Sequence, residues 1–97
     1  MKPNLRTSKL RQLDFDDLIV MGLLYEGYTG KGISVFLGLT PPAISHRFSK
    51  YSAVFDGEES FFIRGPSRRI LSDYGKKLCH KAKRLLTLLL NDGGFLA

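Results

Sequence analysis

The sequence predicts a mainly α-helical domain with a two-stranded β hairpin, and three observations support this fold class. Apolar residues recur at helical spacing behind residues that cap helices, as at Asp14, Thr40 and Ser72. Gly38 separates a short helix from a second helix that begins with two prolines. The aromatic run at 60–64 precedes Gly-Pro-Ser and a returning apolar run, which indicates a hairpin. This order of elements is typical of a winged helix-turn-helix followed by a long C-terminal helix.

Length and charge bound the classes of protein that fit. The chain has 97 residues, enough for one domain with a modest core. Lysine and arginine number 15 against 9 acidic residues, which gives a net charge of +6 and a pI near 9.7. This excess of positive charge favours nucleic acid or an anionic surface as the partner.

Composition also argues against several classes of site and location. The single cysteine, Cys79, cannot form an internal disulfide and fits a reducing cytoplasm, where a DNA-binding protein would be associated with the nucleoid. Cys79, His46 and His80 are too scattered to hold a metal ion, so no metal or other cofactor is predicted. Because no nucleophile–base pair, carboxylate pair or phosphate-binding glycine loop stands out, we predict no catalytic residue and no enzyme. No apolar run is long enough to cross a bilayer, so no membrane partner is predicted.

The first two segments of the chain are a tail and a core helix. Residues 1–13 carry basic side chains and no acidic one, so they are predicted to form a basic arm that turns helical towards its end. This arm either contacts phosphates or remains a solvated tail. A helix is predicted to begin after Asp14, which can cap it, and to end at Glu26-Gly27. Its broad apolar surface predicts a core position, and Gly22 indicates close packing by a neighbouring helix.

A short second helix is predicted over Gly30 to Leu37, with Thr29 as its capping residue. Ile33, Phe36 and Leu37 are expected to form its apolar face.

The helix predicted over about 41–51 is the segment around which the rest of the chain is organised. Ala43, Ile44 and Phe48 give it one apolar stripe. The other stripe is small, polar or basic and carries no acidic residue; it consists of Pro42, Ser45, His46, Arg47, Ser49 and Lys50. Such a face suits the major groove of DNA, where base edges and phosphates offer acceptors. The alternative is an ordinary amphipathic surface helix.

Residues 60–71 are predicted to form a hairpin whose tip and flanks carry Arg64, Arg68 and Arg69. Arginines placed there are suited to lie over a phosphate backbone, which is the role of a wing. The alternative is a hairpin with solvated arginines. Together with the preceding helices, this hairpin completes a predicted winged helix-turn-helix over residues 14–72.

A long helix is predicted over residues 73–91, capped by Ser72 and followed by a tail at 92–97. The final turns of this helix are apolar nearly all round, which is more apolar surface than one small domain can cover. We therefore expect a partner helix there. The predicted dimer interface consists of Leu78, Leu85, Leu86, Leu89 and Leu90. The alternative is a helix buried within its own monomer.

From about Leu13 to Leu90, the chain resembles the N-terminal winged helix-turn-helix domain of LysR-type transcriptional regulators. The family's recognition-helix segment is matched closely by Leu39-Thr40-Pro41-Pro42-Ala43-Ile44-Ser45. Its wing motif Leu-Phe-x-Arg appears as Phe61-Phe62-Ile63-Arg64, and the Leu-Thr-x-x-Gly of its linker helix appears as Leu71-Ser72-Asp73-Tyr74-Gly75. Its Ser-x-x-x-Ala-Ala-x-x-Leu segment is matched loosely by Thr29, Ile33, Ser34 and Leu37.

Several departures from the family's pattern affect what the resemblance implies. The paired alanines have become Ile33-Ser34, so the packing of the two helices is expected to differ. The family's Leu-Glu after the recognition helix reads Tyr51-Ser52, which removes a carboxylate expected near the wing arginine, and the segment from there to Arg64 is longer than usual. The family's effector-binding domain is absent. If the chain is complete, it resembles a free-standing DNA-binding half without a small-molecule sensor.

The resemblance implies a sequence-specific transcriptional regulator, of the bacterial or phage type, that binds double-stranded DNA as a homodimer on an inverted repeat. Ser45 and Arg47 would contact base edges or phosphates, with the wing on the backbone. The full predicted DNA-binding set consists of Thr40, Pro41, Pro42, Ser45, His46, Arg47, Ser49, Lys50, Arg64, Arg68 and Arg69. The alternative is an interaction module that joins another transcription regulator through its leucine-rich helix and binds DNA weakly or not at all.

Overall fold

The structure, a computed structural model, describes residues 9–64 and 69–93. Its elements run in the order α1 (Phe15–Tyr25), α2 (Gly30–Leu37), α3 (Pro41–Phe55), β1 (Phe62–Arg64), β2 (Arg69–Leu71) and α4 (Asp73–Gly93). A mainly helical chain with a small antiparallel sheet confirms the fold class at that level. Most of the predicted basic arm, the predicted hairpin turn and the last residues of the tail lie outside the described residues, as do the side chains of Arg64 and Asp92.

Helix α1 begins where the sequence predicts because Asp14 and Asp17 form a reciprocal cap. The carboxylate of Asp14 accepts a hydrogen bond from the N–H of Asp17 at 2.8 Å, and the carboxylate of Asp17 accepts one from the N–H of Asp14 at 2.9 Å. Two backbone donors that a helix start would otherwise leave unpaired are thereby satisfied. Helix α1 packs along α4, where a Cβ at Gly22 would lie 3.5 Å from Cδ1 of Leu86. The predicted close packing at this glycine is confirmed.

Helix α2 has the predicted bounds and the predicted cap, Thr29, but its buried face differs from the predicted one. Ile33 and Ser34 are buried, whereas the side chain of Phe36 is 61% exposed. The hydroxyl of Ser34 donates to the backbone carbonyl of Leu39, so the buried oxygen has a partner. Phe36 therefore does not share the buried face of Ile33, and the expectation of one apolar face formed by Ile33, Phe36 and Leu37 is wrong for Phe36.

Gly38 turns the chain between α2 and α3 in the left-handed region, with φ of 67°. Thr40 caps α3 by accepting a hydrogen bond from the N–H of Ala43 at 3.3 Å, and the helix opens with Pro41 and Pro42. Proline fits there because the first helical positions have no intrahelical acceptor for an N–H. The start of α3 is thus the one the sequence predicts.

Helix α3 continues past its predicted end near residue 51. Val54 is buried, and the ring of Phe55 stacks on that of Phe61 with the ring centroids 5.4 Å apart. Burying these two side chains favours the extra turn, although the local sequence resembles a loop. Asp56 then ends the helix, and its carboxylate accepts a hydrogen bond from the N–H of Phe61 at 2.8 Å.

Strands β1 and β2 pair in antiparallel register with Ile63 opposite Ile70. The hairpin lies directly on the first turn of α4, where a Cβ at Gly75 would overlap the carbonyl oxygen of Phe61. Ser72 joins the two elements: its hydroxyl oxygen accepts from the N–H of Gly75 at 2.9 Å and donates to the carbonyl of Phe61 at 3.0 Å. The predicted Ser72 cap is confirmed, and only glycine allows so close an approach at position 75.

The core lies between α1, α2, α3 and α4 and is closed from the hairpin side by Phe61. Its largest fully buried side chains are those of Tyr51, Phe61, Ile33, Val20, Asp17 and Cys79. The rings of Tyr51 and Phe61 meet edge to face with centroids 5.8 Å apart. Burial raises the pKa of the Cys79 thiol to about 12, so this thiol stays protonated and chemically inert at neutral pH.

Candidate nucleic-acid interface

The predicted contact residues of α3 divide into two groups. The first group faces solvent and consists of Thr40, Pro41, Pro42, Ser45, His46 and Ser49. The second group, Arg47 and Lys50, is half-buried and faces α1. The positive stripe expected along the front of the helix is therefore largely uncharged.

Arg47 lies against the N-terminal turn of α1. Its Nη1 is 2.8 Å from Oδ1 of Asp17 and 3.0 Å from Oδ1 of Asp14, and its Nη2 is 3.9 Å from the carboxylate of Asp16. The guanidinium is only 18% exposed. Burial alone would lower the pKa of Arg47, but the hydrogen bonds that it donates to Asp17 and Asp14 outweigh burial and raise the pKa, so the charge is permanent.

Asp17 is the centre of this group of charges and is completely buried. Besides Arg47, the ammonium of Lys50 lies 2.6 Å from Oδ2, and the hydroxyl of Tyr51 donates to Oδ1 at 2.7 Å. Burial on its own would raise the pKa of Asp17. Hydrogen bonds from Lys50, from the backbone of Asp14, from Tyr51 and from Arg47 prevail and hold the pKa at about 2. The phenol of Tyr51 has its pKa raised, by burial first and then by its bond to Asp17, so it remains a donor at any physiological pH.

These contacts make Arg47, Lys50 and Tyr51 the polar attachment of α3 to α1. A guanidinium that is shared among carboxylates and held in a half-buried position has few donors left for a base edge or a phosphate. Ion pairs of this kind fix the position of α3, because removing one partner would leave a charge buried without compensation. For Arg47 to contact base edges or phosphates, as the resemblance implies, its guanidinium would have to leave these carboxylates.

Asp17 is the residue that sequence reasoning missed. The spacing of Asp14 and Asp17 fits a capping box, so the reciprocal cap was detectable. The burial of Asp17 was not detectable, because its partners Arg47 and Lys50 lie 30 or more residues away in the sequence.

Arg69 connects the hairpin to the exposed face of α3. Its Nη2 donates to the hydroxyl of Ser49 at 3.0 Å, and its Nη1 donates to the backbone carbonyl of Ser45 at 3.3 Å. The guanidinium also lies 5.9 Å from the centroid of the Phe62 ring, within cation–π range. Its strand partner is Arg64, whose side chain is outside the described part of the chain, as is Arg68. Ser45, Ser49 and Arg69 therefore form one continuous exposed surface, which we call the α3–hairpin face.

The first turn of α3 offers no backbone donor to an anion. Pro41 and Pro42 have no N–H, and the N–H of Ala43 already donates to Thr40. Helix N-termini often bind phosphate through such groups. Any anion contact at this end must therefore come from side chains.

The predicted dimer residues of α4 are also divided. Leu85 and Leu89 are 46% and 43% exposed, as an interface in an isolated protomer would be. Leu78 instead packs against the internal core, while Leu86 and Leu90 are partly buried. Leu88, which the sequence analysis left out, is the most exposed leucine of this helix at 55%.

Comparison of the chain with protein-family models, curated proteins and solved structures finds no match in any of the three. Among residues 9–64 and 69–93, no group of histidine, cysteine or acidic side chains is placed to hold a metal ion. The helices described there include none with the length and apolar character needed to cross a membrane.

Proposed function

We propose that this chain is a double-stranded DNA-binding protein of the winged helix-turn-helix type, acting as a transcriptional regulator. The observation that carries the proposal is the α3–hairpin face: an exposed face of a capped helix, free of acidic residues and continuous with Arg69. Small hydroxyls on a major-groove helix allow close approach to base edges, and they can donate to or accept from any of them. The resemblance to LysR-type regulators adds the expected order of helix, turn, helix and wing.

In this proposal, the residues of α3 share the work unequally. Ser45, His46 and Ser49 contact bases, while Thr40, Pro41 and Pro42 approach the backbone at the start of the helix. Arg69, its sequence neighbour Arg68 and its strand partner Arg64 neutralise phosphates. Arg47 and Lys50 act as positioning residues, since both are already paired with Asp17.

A salt titration of binding to random duplex tests this proposal. Each neutralised phosphate contributes about −0.9 to the slope of log affinity against log salt. If only the three hairpin arginines bind phosphate, the slope per protomer is about −3. If Arg47 and Lys50 bind phosphate as well, the slope is about −4 to −5. Anisotropy of a labelled duplex measures it. Absence of binding at low salt, or binding independent of salt, would refute the DNA proposal.

The proposed assembly is a homodimer formed through the end of α4, which would present two copies of α3 to an inverted repeat. Leu85, Leu88 and Leu89 are the exposed residues that a partner helix would cover. Burying each leucine is worth about 1.5–3 kcal/mol, so an aspartate in that position should prevent association.

Light scattering after size exclusion tests the dimer. Leu88→Asp and Leu89→Asp are expected to halve the mass while helical circular dichroism is retained. Thr87→Asp, an exposed neighbour in the same turn, is the matched control and is expected to remain dimeric. A parent protein that is monomeric at micromolar concentrations would overturn the dimer, and with it the palindromic site.

One observation favours a second candidate function, an interaction module that joins another regulator through α4. The ion pairs of Arg47 and Lys50 remove two cations from the surface that would face DNA. Genomic binding-site selection with the purified protein separates the two candidates. A recurrent sequence motif supports the regulator, and recovery of random fragments alone supports the interaction module.

A further inference from the structure

A groove of about 890 Å³ lies between the end of α1, the start of α2, the flank of α3 and strand β2. Its apolar lining includes Leu24, Ile44, Phe48 and Phe62, the middle two of which belong to the core. Its volume and its apolar lining are those of sites that hold small organic molecules.

The charged side chains that line this groove are all positive. Lys31 from α2, Arg69 from β2 and Lys76 from α4 all line it, and none of the described residues that line it is acidic. Lys31 and Lys76 are exposed, and neither has a carboxylate partner within the described part of the chain. Apolar walls beside three cations complement a molecule with an apolar body and one negative charge.

The aromatic residues at the groove refine the chemistry of the occupant. Tyr25 and Tyr28 line it while each leaves about two-fifths of its surface exposed, at 40% and 44%. Together with Phe48 and Phe62, they offer ring faces and edges to a flat molecule. We propose that this groove is a binding site for a hydrophobic aromatic monocarboxylate, held by its ring against the aromatic side chains and by its carboxylate among Lys31, Arg69 and Lys76.

Occupation of the groove would act on the α3–hairpin face through Arg69. This side chain both lines the groove and donates to Ser45 and Ser49. A carboxylate that pairs end-on with the two Nη groups would replace Ser45 and Ser49 as their acceptors. The ligand would thus loosen the contact between hairpin and α3 and weaken DNA binding. This second step rests on the proposed function, whereas ligand binding itself does not.

The test uses 2-naphthoate as the probe and its neutral isostere 2-naphthamide as the control, titrated into the free protein and followed by amide NMR. Naphthoate is expected to shift the signals of Gly27 and Gly30, which line the groove, and to leave that of Gly57 unchanged. A ligand of this size is expected to bind with a Kd of about 1 mM or below. Naphthamide should bind about five-fold more weakly, because it lacks the charge.

Charge-reversal variants locate the carboxylate. Lys76→Glu is expected to weaken naphthoate binding about three- to ten-fold and to leave naphthamide within about two-fold. Lys77→Glu, an exposed neighbour on α4 that does not line the groove, is the matched control and should behave as the parent. Equal affinity for the acid and the amide, equal effects of both variants, or shifts confined to the leucines of α4 would overturn the proposal.

A separate measurement distinguishes this proposal from that of DNA binding. If naphthoate shifts the groove signals but the protein binds no duplex, the ligand site stands and the proposed function fails. If duplex binds with the expected salt dependence while the groove signals never move, the ligand site is refuted and the proposed function stands. Release of duplex by naphthoate but not by naphthamide supports the link through Arg69.

Discussion

The two sides of α3 differ in a way that the charge of their residues does not reveal. The side towards α1 carries Arg47 and Lys50, yet both charges are neutralised by carboxylates of α1. The side towards solvent and the hairpin carries no lysine or arginine of its own, and Arg69 of the hairpin donates to Ser49 there. The difference shows that cations of a helix can serve to position it, while its exposed face carries hydroxyls and a cation from a neighbouring element.

The largest expected effect comes from breaking the α1 side. Asp17→Asn removes the negative charge between Arg47, Lys50 and the Tyr51 hydroxyl and leaves two half-buried cations without their central partner. The free energy of unfolding is expected to fall by about 3 kcal/mol, measured by urea denaturation. Asp16→Asn is the matched control, since Asp16 is 57% exposed and 3.9 Å from Arg47, and it should cost less than about 0.5 kcal/mol. Similar losses in both variants would contradict the central role of Asp17.

Acid is expected to weaken the attachment of α3 to α1 through Asp17. Asp17 has an ordinary pKa of 3.8 when unfolded and one of about 2 when folded, so the unfolded chain binds more protons between these values. Stability therefore rises with pH in this range. The contribution, about 2 kcal/mol, is complete above about pH 4 and is lost as the pH falls towards 2. Urea midpoints of the parent and of Asp17→Asn should converge as the pH falls; a gap that stays constant down to pH 2 would contradict this origin.

Substitutions of Arg69 and of Arg47 are expected to affect DNA binding differently. Arg69→Gln is expected to lower affinity for random duplex by about 1 kcal/mol and to reduce the steepness of the salt dependence by about one unit. Arg47→Gln should lower thermal stability while leaving the salt slope unchanged, because its guanidinium is already paired. Salt titrations of both variants below their melting temperatures make the comparison. A reduced slope for Arg47→Gln would show that Arg47 leaves the carboxylates for phosphate.

The smallest effect is expected on the solvent side. Ser45→Ala should reduce the preference at one base position by about 1 kcal/mol without altering the salt slope, because one hydrogen bond to a base is lost. Ser52→Ala, a half-buried position further along α3, is the control and should leave base preference unchanged. Competition between duplexes that differ at single positions measures the preference. Uniform weakening across all sequences would assign Ser45 to the backbone instead.

The parts of the fold that the sequence predicted well are those fixed by local chemistry. Thr29, Thr40 and Ser72 cap helices where expected because a hydroxyl next to a free backbone N–H acts within one turn. The pairing of two strands follows from the two apolar runs on either side of Gly65-Pro66-Ser67 in the sequence. These signals depend on neighbours in the sequence, which are visible without a structure.

The orientation of individual side chains could not be predicted in the same way. Helical periodicity places Arg47 beside the apolar stripe of α3. Its side chain points towards α1 because Asp17 of α1 accepts a hydrogen bond from it. Ser34 is buried on α2, where its hydroxyl donates to the backbone carbonyl of Leu39. Phe36, on another face of the same helix, is exposed. In both cases a polar partner from another segment decided between two faces of similar composition.

The close contact between Gly75 and Phe61 restricts how the hairpin can move relative to α4. Because a single added carbon at position 75 would overlap the carbonyl of Phe61, the hairpin has no room to slide along α4. We therefore expect a rotation of α4 about its axis to carry β1 and β2 with it. In a dimer formed through α4, the crossing angle of the two helices would set the separation of the two hairpins. In that proposed dimer, a partner helix that altered this angle would change the preferred spacing of half-sites without contacting any residue proposed to bind DNA.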